Sequence, residues 1–317
     1  MKKLISILSP CYNEEGNIEI LYGKVKDIFA QLPQYSYEHI FIDNASTDKT
    51  VEILKCLATQ DKNLKIIVNT RNFGVARSHF HGMRETYGDA VISLCADLQD
   101  PPELIPQLLK KWEDGYKIVC AIRSKREENF MLFSLRKLFY RILAKFSETE
   151  QIQNFFGFGL YDKAFMDIIR SYEDSYPYFR GFITETGLNR TELTYTQTKR
   201  SSGKSKHNFY ILYDIAISGF VNHSKLLLRL ASFIGFGVAL LSLLISLVYL
   251  VLKLIWWHTF IAGTAPMVIG LFFFSSVQLF FIGIIGEYVG AIHTQVRKRP
   301  LVVEKERINF SKENAKS

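Results

Sequence analysis

An α/β domain on a mostly parallel sheet, followed by a C-terminal two-helix transmembrane hairpin, is the fold class that this 317-residue chain predicts. From Leu4 to about Ala121, short apolar runs alternate with helix-like stretches, the pattern of a parallel sheet covered on both faces. Polar side chains collect directly after those runs, where open α/β sheets bind ligands. Two later stretches, Leu230 to Leu252 and Thr259 to Gly286, contain no Asp, Glu, Lys, Arg or His. Each exceeds the roughly 20 residues that a helix needs to cross a bilayer.

In chain order, the strands are expected at Leu4–Ser9, His39–Asp43, Lys65–Asn69, Ala90–Leu94 and Lys117–Ala121, all apolar runs of buried-strand length. Helices are expected near Glu15–Leu32, Thr47–Thr59, Val75–Thr86 and Leu104–Glu113. The first three strands end in Cys11-Tyr12-Asn13-Glu14-Glu15, Asp43-Asn44-Ala45-Ser46-Thr47-Asp48 and Asn69-Thr70-Arg71-Asn72-Phe73-Gly74. After the fourth come Cys95-Ala96-Asp97-Leu98-Gln99-Asp100 and then Pro101-Pro102, which stops the strand and opens a helix. Hard oxygen donors in that place suit Mg²⁺ or Mn²⁺ carrying phosphates, so a nucleotide-linked substrate is expected. The competing reading is an acidic helix cap on a surface turn, and Ser46 with Asp48 could equally cap the second helix. No G-x-G-x-x-G follows the first strand and no G-x-x-x-x-G-K-[ST] occurs. That argues against a dinucleotide dehydrogenase and a P-loop ATPase.

Past Ala121 the pattern changes. Phe130 to Phe146 has Met131, Leu135, Leu138 and Ile142 at helical spacing with Arg136, Lys137, Arg141 and Lys145 opposite. It would lie on a membrane surface or pack on the sheet; both readings are open. Phe209 to Phe220 is a second such candidate. Between them stand an aromatic, glycine-rich stretch from Asn154 to Asp162 and a basic loop from Arg200 to Lys206. The link Lys253 to His258 is short, and Trp256 and Trp257 suit the membrane interface. Lys225 and Arg229 before the hairpin, and Arg297-Lys298-Arg299 after it, put both outer ends on the cytoplasmic face by the positive-inside rule. The expected arrangement is multi-pass in the cytoplasmic membrane, with both termini cytoplasmic. Its domains are residues 1–208, a juxtamembrane segment 209–229, the hairpin 230–286 and a tail 287–317. Met1-Lys2-Lys3 runs straight into the first strand with no signal-peptide pattern. Four widely spaced cysteines read as reduced thiols. The net charge of +8 suits anionic lipid; it would also suit nucleic acid, but no nucleic-acid motif occurs. The tail after Pro300 is polar and expected to be mobile.

Four ordered motifs are the most specific part of the sequence: SPCYNEE at Ser9–Glu15, RNFG at Arg71–Gly74, ADLQDPPE at Ala96–Glu103 and RSSGKSK at Arg200–Lys206. With the hairpin and the Gly286-Glu287-Tyr288-Val289-Gly290 exit segment, the chain from about Leu4 to Pro300 resembles family 2 glycosyltransferases of the polyprenyl-phosphate type. Dolichol-phosphate mannose synthases and bactoprenol glucosyltransferases are its relatives there. The resemblance implies a GT-A fold, a nucleoside-diphosphate-sugar donor, a polyprenyl phosphate acceptor and inversion at the anomeric carbon. It implies donor contacts from Pro10, Tyr12, Glu14, Asp43 and Arg71, and metal ligation by Asp97 and Gln99. Arg123 would bind phosphate, and Arg200, Ser205 and Lys206 would hold the lipid phosphate. The bland alternative for that basic loop is membrane-surface attraction. A homo-oligomer is allowed by the resemblance, and no residue fixes a copy number.

Three departures bear on chemistry. Cys95-Ala96-Asp97 stands where the family has Asp-x-Asp, and a thiol is a poor ligand for Mg²⁺. Phe156-Gly157-Phe158-Gly159-Leu160 replaces Gly-Asp-Phe-Arg-Leu, so Gly157 takes the place of a candidate catalytic aspartate. Glu185 occupies a position usually held by tryptophan. Either Glu185 serves in the gap at Gly157, where it would be catalytic with Asp97 and Arg123, or it is an exposed carboxylate on a turn. A different lipid-linked acceptor, or a catalytically silent donor-binding relative, are the alternatives to the implied reaction.

Overall fold

The computed structural model describes residues 2–124, 152, 154–174, 177–197, 226–256, 264–297 and 299–310. In order the elements are β1 (Lys3–Cys11), α1 (Ile18–Ala30), β2 (Tyr35–Asp43), α2 (Thr50–Gln60), β3 (Leu64–Asn69), α3 (Val75–Arg84), β4 (Ala90–Ser93), α4 (Ile105–Glu113) and β5 (Ile118–Arg123). They continue with β6 (Phe155–Asp162), α5 (Lys163–Ser171), α6 (Phe179–Glu185), β7 (Arg190–Tyr195), α7 (Leu226–Ile255), α8 (Thr264–Val296) and β8 (Glu304–Ile308). All five strands and four helices expected before residue 124 are present. The described residues form two compact units, one built on the sheet and including the chain after Arg297, the other containing α7 and α8.

One eight-stranded sheet has the order β7-β5-β6-β4-β1-β2-β3-β8. β4, β1, β2 and β3 are parallel neighbours, as are β5 and β7. Alternate strand residues face opposite layers, as the pleat requires. Ile5, Ile7 and Phe41 pack with Leu21, Val25, Leu54, Leu108 and Trp112 on the α1, α2 and α4 side. Leu8, Ile40 and Ile42 pack with Phe80, Met83, Phe165 and Phe182 under α3, α5 and α6. Each layer is mostly apolar, with Ser6, Glu38 and His39 among the buried polar side chains, which is why the strands read as near-continuous hydrophobic runs.

One strand was not anticipated and one expectation is corrected. The aromatic, glycine-rich stretch, to which no element was assigned, is a strand: β6 runs antiparallel between β4 and β5. Its glycines hide it from propensity; the close approach of β5 requires one of them. A Cβ at Gly159 would sit 2.3 Å from the Val119 carbonyl oxygen. The tail is also built into the fold. Leu301 and Val302 are buried, and β8 pairs antiparallel with the outer edge of β3. Asn309 donates from Nδ2 to the carbonyls of Ala58 and Leu64, both at 2.8 Å.

In the second unit, α7 and α8 contact each other. α8 runs ten residues past Gly286, to Val296. Among the described residues one stretch, Phe273–Val296, is long and apolar enough to cross a membrane. The segments Phe130–Phe146 and Phe209–Phe220 lie outside the described residues.

Candidate active site

The carboxyl ends of β1 and β2 are stitched together by reciprocal hydrogen bonds. The Asn13 amide donates to Ser46 Oγ at 2.8 Å, and the Thr47 amide returns a bond to Asn13 Oδ1 at 2.8 Å. One turn further, the Glu14 amide donates to Thr50 Oγ1 at 2.9 Å, and the Lys49 amide to Glu15 Oε2 at 3.0 Å. Asp43, fully buried, accepts from the Ser46 amide at 2.9 Å and from the Ser46 hydroxyl. Burial raises its carboxyl above the ordinary range despite those donors. Glu14 is nearly buried and accepts from Asn17 Nδ2 at 2.6 Å. Pro10, at the end of β1, offers its carbonyl to the Ala96 amide at 3.4 Å. Pro10, Glu14, Asp43 and the Asp97 loop thus share one edge, and Tyr12 sits in the turn between Cys11 and Asn13.

Past β4 the chain turns on Leu98, a non-glycine residue at φ 56. The Gln99 amide donates to Asp97 Oδ1 at 3.2 Å, and Gln99 Oε1 accepts from Gln197 Nε2. Asp100, 1% exposed, faces the end of β5: Arg123 Nη2 donates to its Oδ1 at 3.1 Å and Arg123 Nε to the Tyr195 hydroxyl at 3.0 Å. Tyr195 in turn donates to Asp100. Burial opposes the guanidinium charge of Arg123, and Asp100 with Tyr195 overcomes it. Arg123 is therefore a fixed cation beside the Asp97 loop, its carbon 4.2 Å from the centroid of the Phe156 ring.

After β3, Arg71 is exposed, stacks on Phe73 at 4.1 Å and donates to the Asn72 carbonyl at 3.2 Å, and an amide network holds the turn that carries it. Asn44 Nδ2 donates to Asn72 Oδ1 at 2.9 Å, and Asn44 Oδ1 accepts from the Phe73 amide at 3.0 Å. Asn69 Nδ2 donates to Asn44 Oδ1 and to Ser78 Oγ. Asn44, Asn69, Gln197 and Tyr195 were not singled out in the sequence. Asn44 and Asn69 do stand at the strand ends, and that position was the available signal; Tyr195, which ends β7, and Gln197, two residues beyond it, gave none.

Donor chemistry bears on the metal. Asp97 and Gln99 offer one carboxylate and one amide oxygen, which fits a hard cation that keeps most of its shell for water and phosphate oxygens. Burial, with Asp100 and Asp97 adding to it, raises the Cys95 thiol above its ordinary range, and a thiol is in any case a poor ligand for Mg²⁺. A second candidate cation group comprises His81, Glu85 and Glu304, with ligand atoms within 4.8 Å of one another. Arg307 already bridges its two carboxylates, at 2.8 Å to Glu85 and 2.5 Å to Glu304. That group lies between α3 and β8, several strands from β4.

Glu185 is exposed and ends α6. The chain leads on from it to Asn189, whose carbonyl accepts from the Lys117 amide at the amino end of β5. The residue that α6 brings to the carboxyl edge is Arg180, 4.9 Å from the Phe156 ring. Gly157 has φ +99 and nothing within 4 Å of a Cβ built on it. Arg200, Ser205 and Lys206 lie outside the described residues.

Comparison with known proteins adds the following. The profile of glycosyl transferase family 2 matches residues 6–174. The chain is 33% identical over 304 residues to a bactoprenol glucosyl transferase of Shigella phage SfX, covering 96% of this chain and 99% of that protein. It is 33% identical over 298 residues to a glycosyltransferase of Synechocystis sp., covering 94% and 93% of the two chains. Among solved structures, a glucosyl-3-phosphoglycerate synthase from Mycobacterium tuberculosis matches with TM-score 0.46 and 17% identity, over 69% of this chain and 76% of that one.

Proposed function

Since the chain belongs to glycosyl transferase family 2, we propose that this nucleotide-sugar-dependent glycosyltransferase moves one sugar from a nucleoside-diphosphate sugar to a polyprenyl phosphate, with inversion. The observation that carries the reading is the convergence on one sheet edge of Asp43, Glu14, Asp97, Gln99 and a buried Asp100–Arg123–Tyr195 triangle. Near-full-length similarity to a bactoprenol glucosyl transferase supports the lipid phosphate as acceptor.

The residues divide the work by chemistry. Pro10, Tyr12, Glu14 and Asp43 would bind base and ribose, Asp43 accepting from sugar hydroxyls. Asp97 and Gln99 would hold Mg²⁺ or Mn²⁺, which when bound neutralises charge on the donor diphosphate. Arg71 and Arg123 would contact phosphate oxygens. Because Asp100 and Tyr195 fix the Arg123 guanidinium before substrate arrives, no reorganisation is needed as the leaving diphosphate gains charge. Arg200, Ser205 and Lys206, in the segment that follows Gln197, would hold the acceptor phosphate. A phosphate monoester loses its second proton at pKa ~6, so the nucleophile is largely dianionic at neutral pH and needs positioning more than a base. Gly157 in place of aspartate is compatible with that chemistry. Glu185 ends α6, and this chemistry does not require a carboxylate from it. The apolar α7 and α8 would form the membrane hairpin, anchoring the chain in the bilayer that holds the lipid acceptor.

The test is incubation of the full chain in detergent with undecaprenyl phosphate, Mg²⁺ or Mn²⁺ and a panel of nucleoside-diphosphate sugars, read by mass spectrometry. A lipid-phosphate sugar that disappears in Asp97→Ala is expected. Donor binding with no glycolipid from any sugar would overturn the reading in favour of a silent donor-binding relative.

A further inference from the structure

Phe156 is 51% exposed in a strand whose other seven residues are buried. Left-handed backbone flanks it, with Asn154 at φ 55 and Gly157 at φ 99, and the Asn154 carbonyl accepts from the Arg123 amide at 3.2 Å. The ring is thereby turned out of the sheet at the edge that carries Asp97 and Arg123. Two guanidinium carbons meet it, that of Arg123 at 4.2 Å from the ring centroid and that of Arg180 at 4.9 Å. Arg180 is rigidly supported from below. Its neighbour Phe179 packs edge-on against His79, Tyr161 and Phe165, and Phe182 packs against Phe80 and Tyr172.

Two like charges brought to one ring repel each other. Cation–π attraction orients a guanidinium without neutralising it. Asp100 offsets the charge of Arg123, while the ring itself supplies no anion for a second cation. A planar guanidinium held at such a place is suited to binding phosphate oxygens in a fork. We propose that Arg180 is a second phosphate-binding cation of this site, oriented by the Phe156 ring that it shares with Arg123. It would extend the phosphate-binding wall from β5 to the first turn of α6. The inference rests on the glycosyltransferase reading for its choice of ligand, a phosphate or diphosphate oxygen, supplied by either the leaving nucleoside diphosphate or the lipid phosphate.

The test uses the full chain in detergent and the variants Arg180→Gln, Arg180→Lys and Phe156→Leu. UDP and GDP binding with Mn²⁺ is measured by calorimetry, and the KM for undecaprenyl phosphate by turnover. Arg180→Gln should weaken one of the two by about 10-fold or more, the loss of a charge-assisted hydrogen bond. Arg180→Lys and Phe156→Leu should fall in between, with melting temperatures close to the parent's. Loss confined to UDP or GDP assigns the cation to the leaving group; loss confined to KM assigns it to the lipid. Unchanged values in both arms overturn the proposal, as does equal loss in Gln and Lys variants accompanied by lower melting temperatures. If the parent makes no lipid-linked sugar yet Arg180→Gln still weakens diphosphate binding, the acceptor reading fails and the phosphate site stands.

Discussion

Gly157 and Gly159 lie two residues apart in β6, and alanine at each should have very different consequences. At Gly159 the new Cβ would meet the Val119 carbonyl oxygen at 2.3 Å, where ordinary contact begins at 3.4 Å. Backbone in an interior strand of an eight-stranded sheet must then move by about 1 Å, an overpacking cost of about 1–3 kcal/mol. The Val119 and Cys120 pairings with Leu160 and Gly159 weaken as well, at about 1 kcal/mol for each bond lost. The total is about 3–5 kcal/mol. At Gly157 no atom lies within 4 Å, so only the backbone at φ +99 is strained. That costs about 1–2 kcal/mol, partly offset because alanine restricts the unfolded chain. Thermal unfolding of the full chain in detergent, followed by the fluorescence of the buried Trp112, reads both. With about 2–4 °C per kcal/mol for a domain of this size, Gly159→Ala should melt roughly 10 °C lower and Gly157→Ala only a few degrees lower. Equal melting temperatures for the two variants would refute the close approach. The contrast explains why a side chain at 159 is costly in this chain for want of space, whereas at 157 the smaller cost comes from the backbone angle.

Two further outcomes are expected. Burial alone would raise the Glu304 carboxyl, but hydrogen bonds from His81 and Arg307 hold it at about 2, below its ordinary 4.5. A carboxyl depressed by folding stabilises fully above its unfolded value and loses that contribution as pH falls from 4.5 towards about 2. Glu304→Gln should therefore cost about 1–2 kcal/mol at pH 7 after allowance for solvent screening, and the gap to the parent should close across that acid window. A gap in melting temperature that persists at pH 2 would show that the loss is one of packing. Cys95→Asp restores the family's carboxylate pair beside Asp97 and the buried Asp100. It should melt lower than the parent without divalent ions, by about 1–3 kcal/mol of added carboxylate burial, and gain more from Mn²⁺. The same Mn²⁺ shift in variant and parent would mean that position 95 does not face the cation.

The strands β1 to β5 were legible because each is largely buried on both faces and so spells a mostly apolar run. The polar clusters that follow were legible for the complementary reason: strand ends are where buried backbone meets a ligand. β6 was hidden because Gly157 and Gly159 lower its strand propensity, and what makes it a strand is the space between β4 and β5. β8 was hidden because its residues alternate charge with little hydrophobic signal. Its attachment comes from distant partners, Lys55 to Glu306 at 2.5 Å and His81 to Glu304 at 2.5 Å. Arg180 was missed because an arginine in an aromatic stretch carries no signal until Phe156 and Arg123 are seen beside it.

Backbone conformation marks the same site without reference to any motif. Asn13, Ala45 and Leu98 all adopt left-handed backbone, at φ 57, 63 and 56, and they follow β1, β2 and β4 in turn. The Ala45 backbone N–H bonds the Asp43 carboxylate, and the strain costs of order 1–3 kcal/mol at each such residue. Such conformations persist only where surrounding contacts over-determine them. Here the surroundings are the bonds from Asn13 to Ser46 and Thr47, the Ser46 bonds to Asp43, and the bond from Gln99 to Asp97. Each strained residue lies within two positions of a proposed ligand contact: Tyr12 and Glu14 beside Asn13, Asp43 beside Ala45, Asp97 and Gln99 beside Leu98. Three adjacent strands turn sharply at the one edge where the polar groups converge, and ordinary turns there would point those groups elsewhere. The strain at this edge thus supports the proposed ligand site, although Asn309 directly after β8 adopts the same conformation.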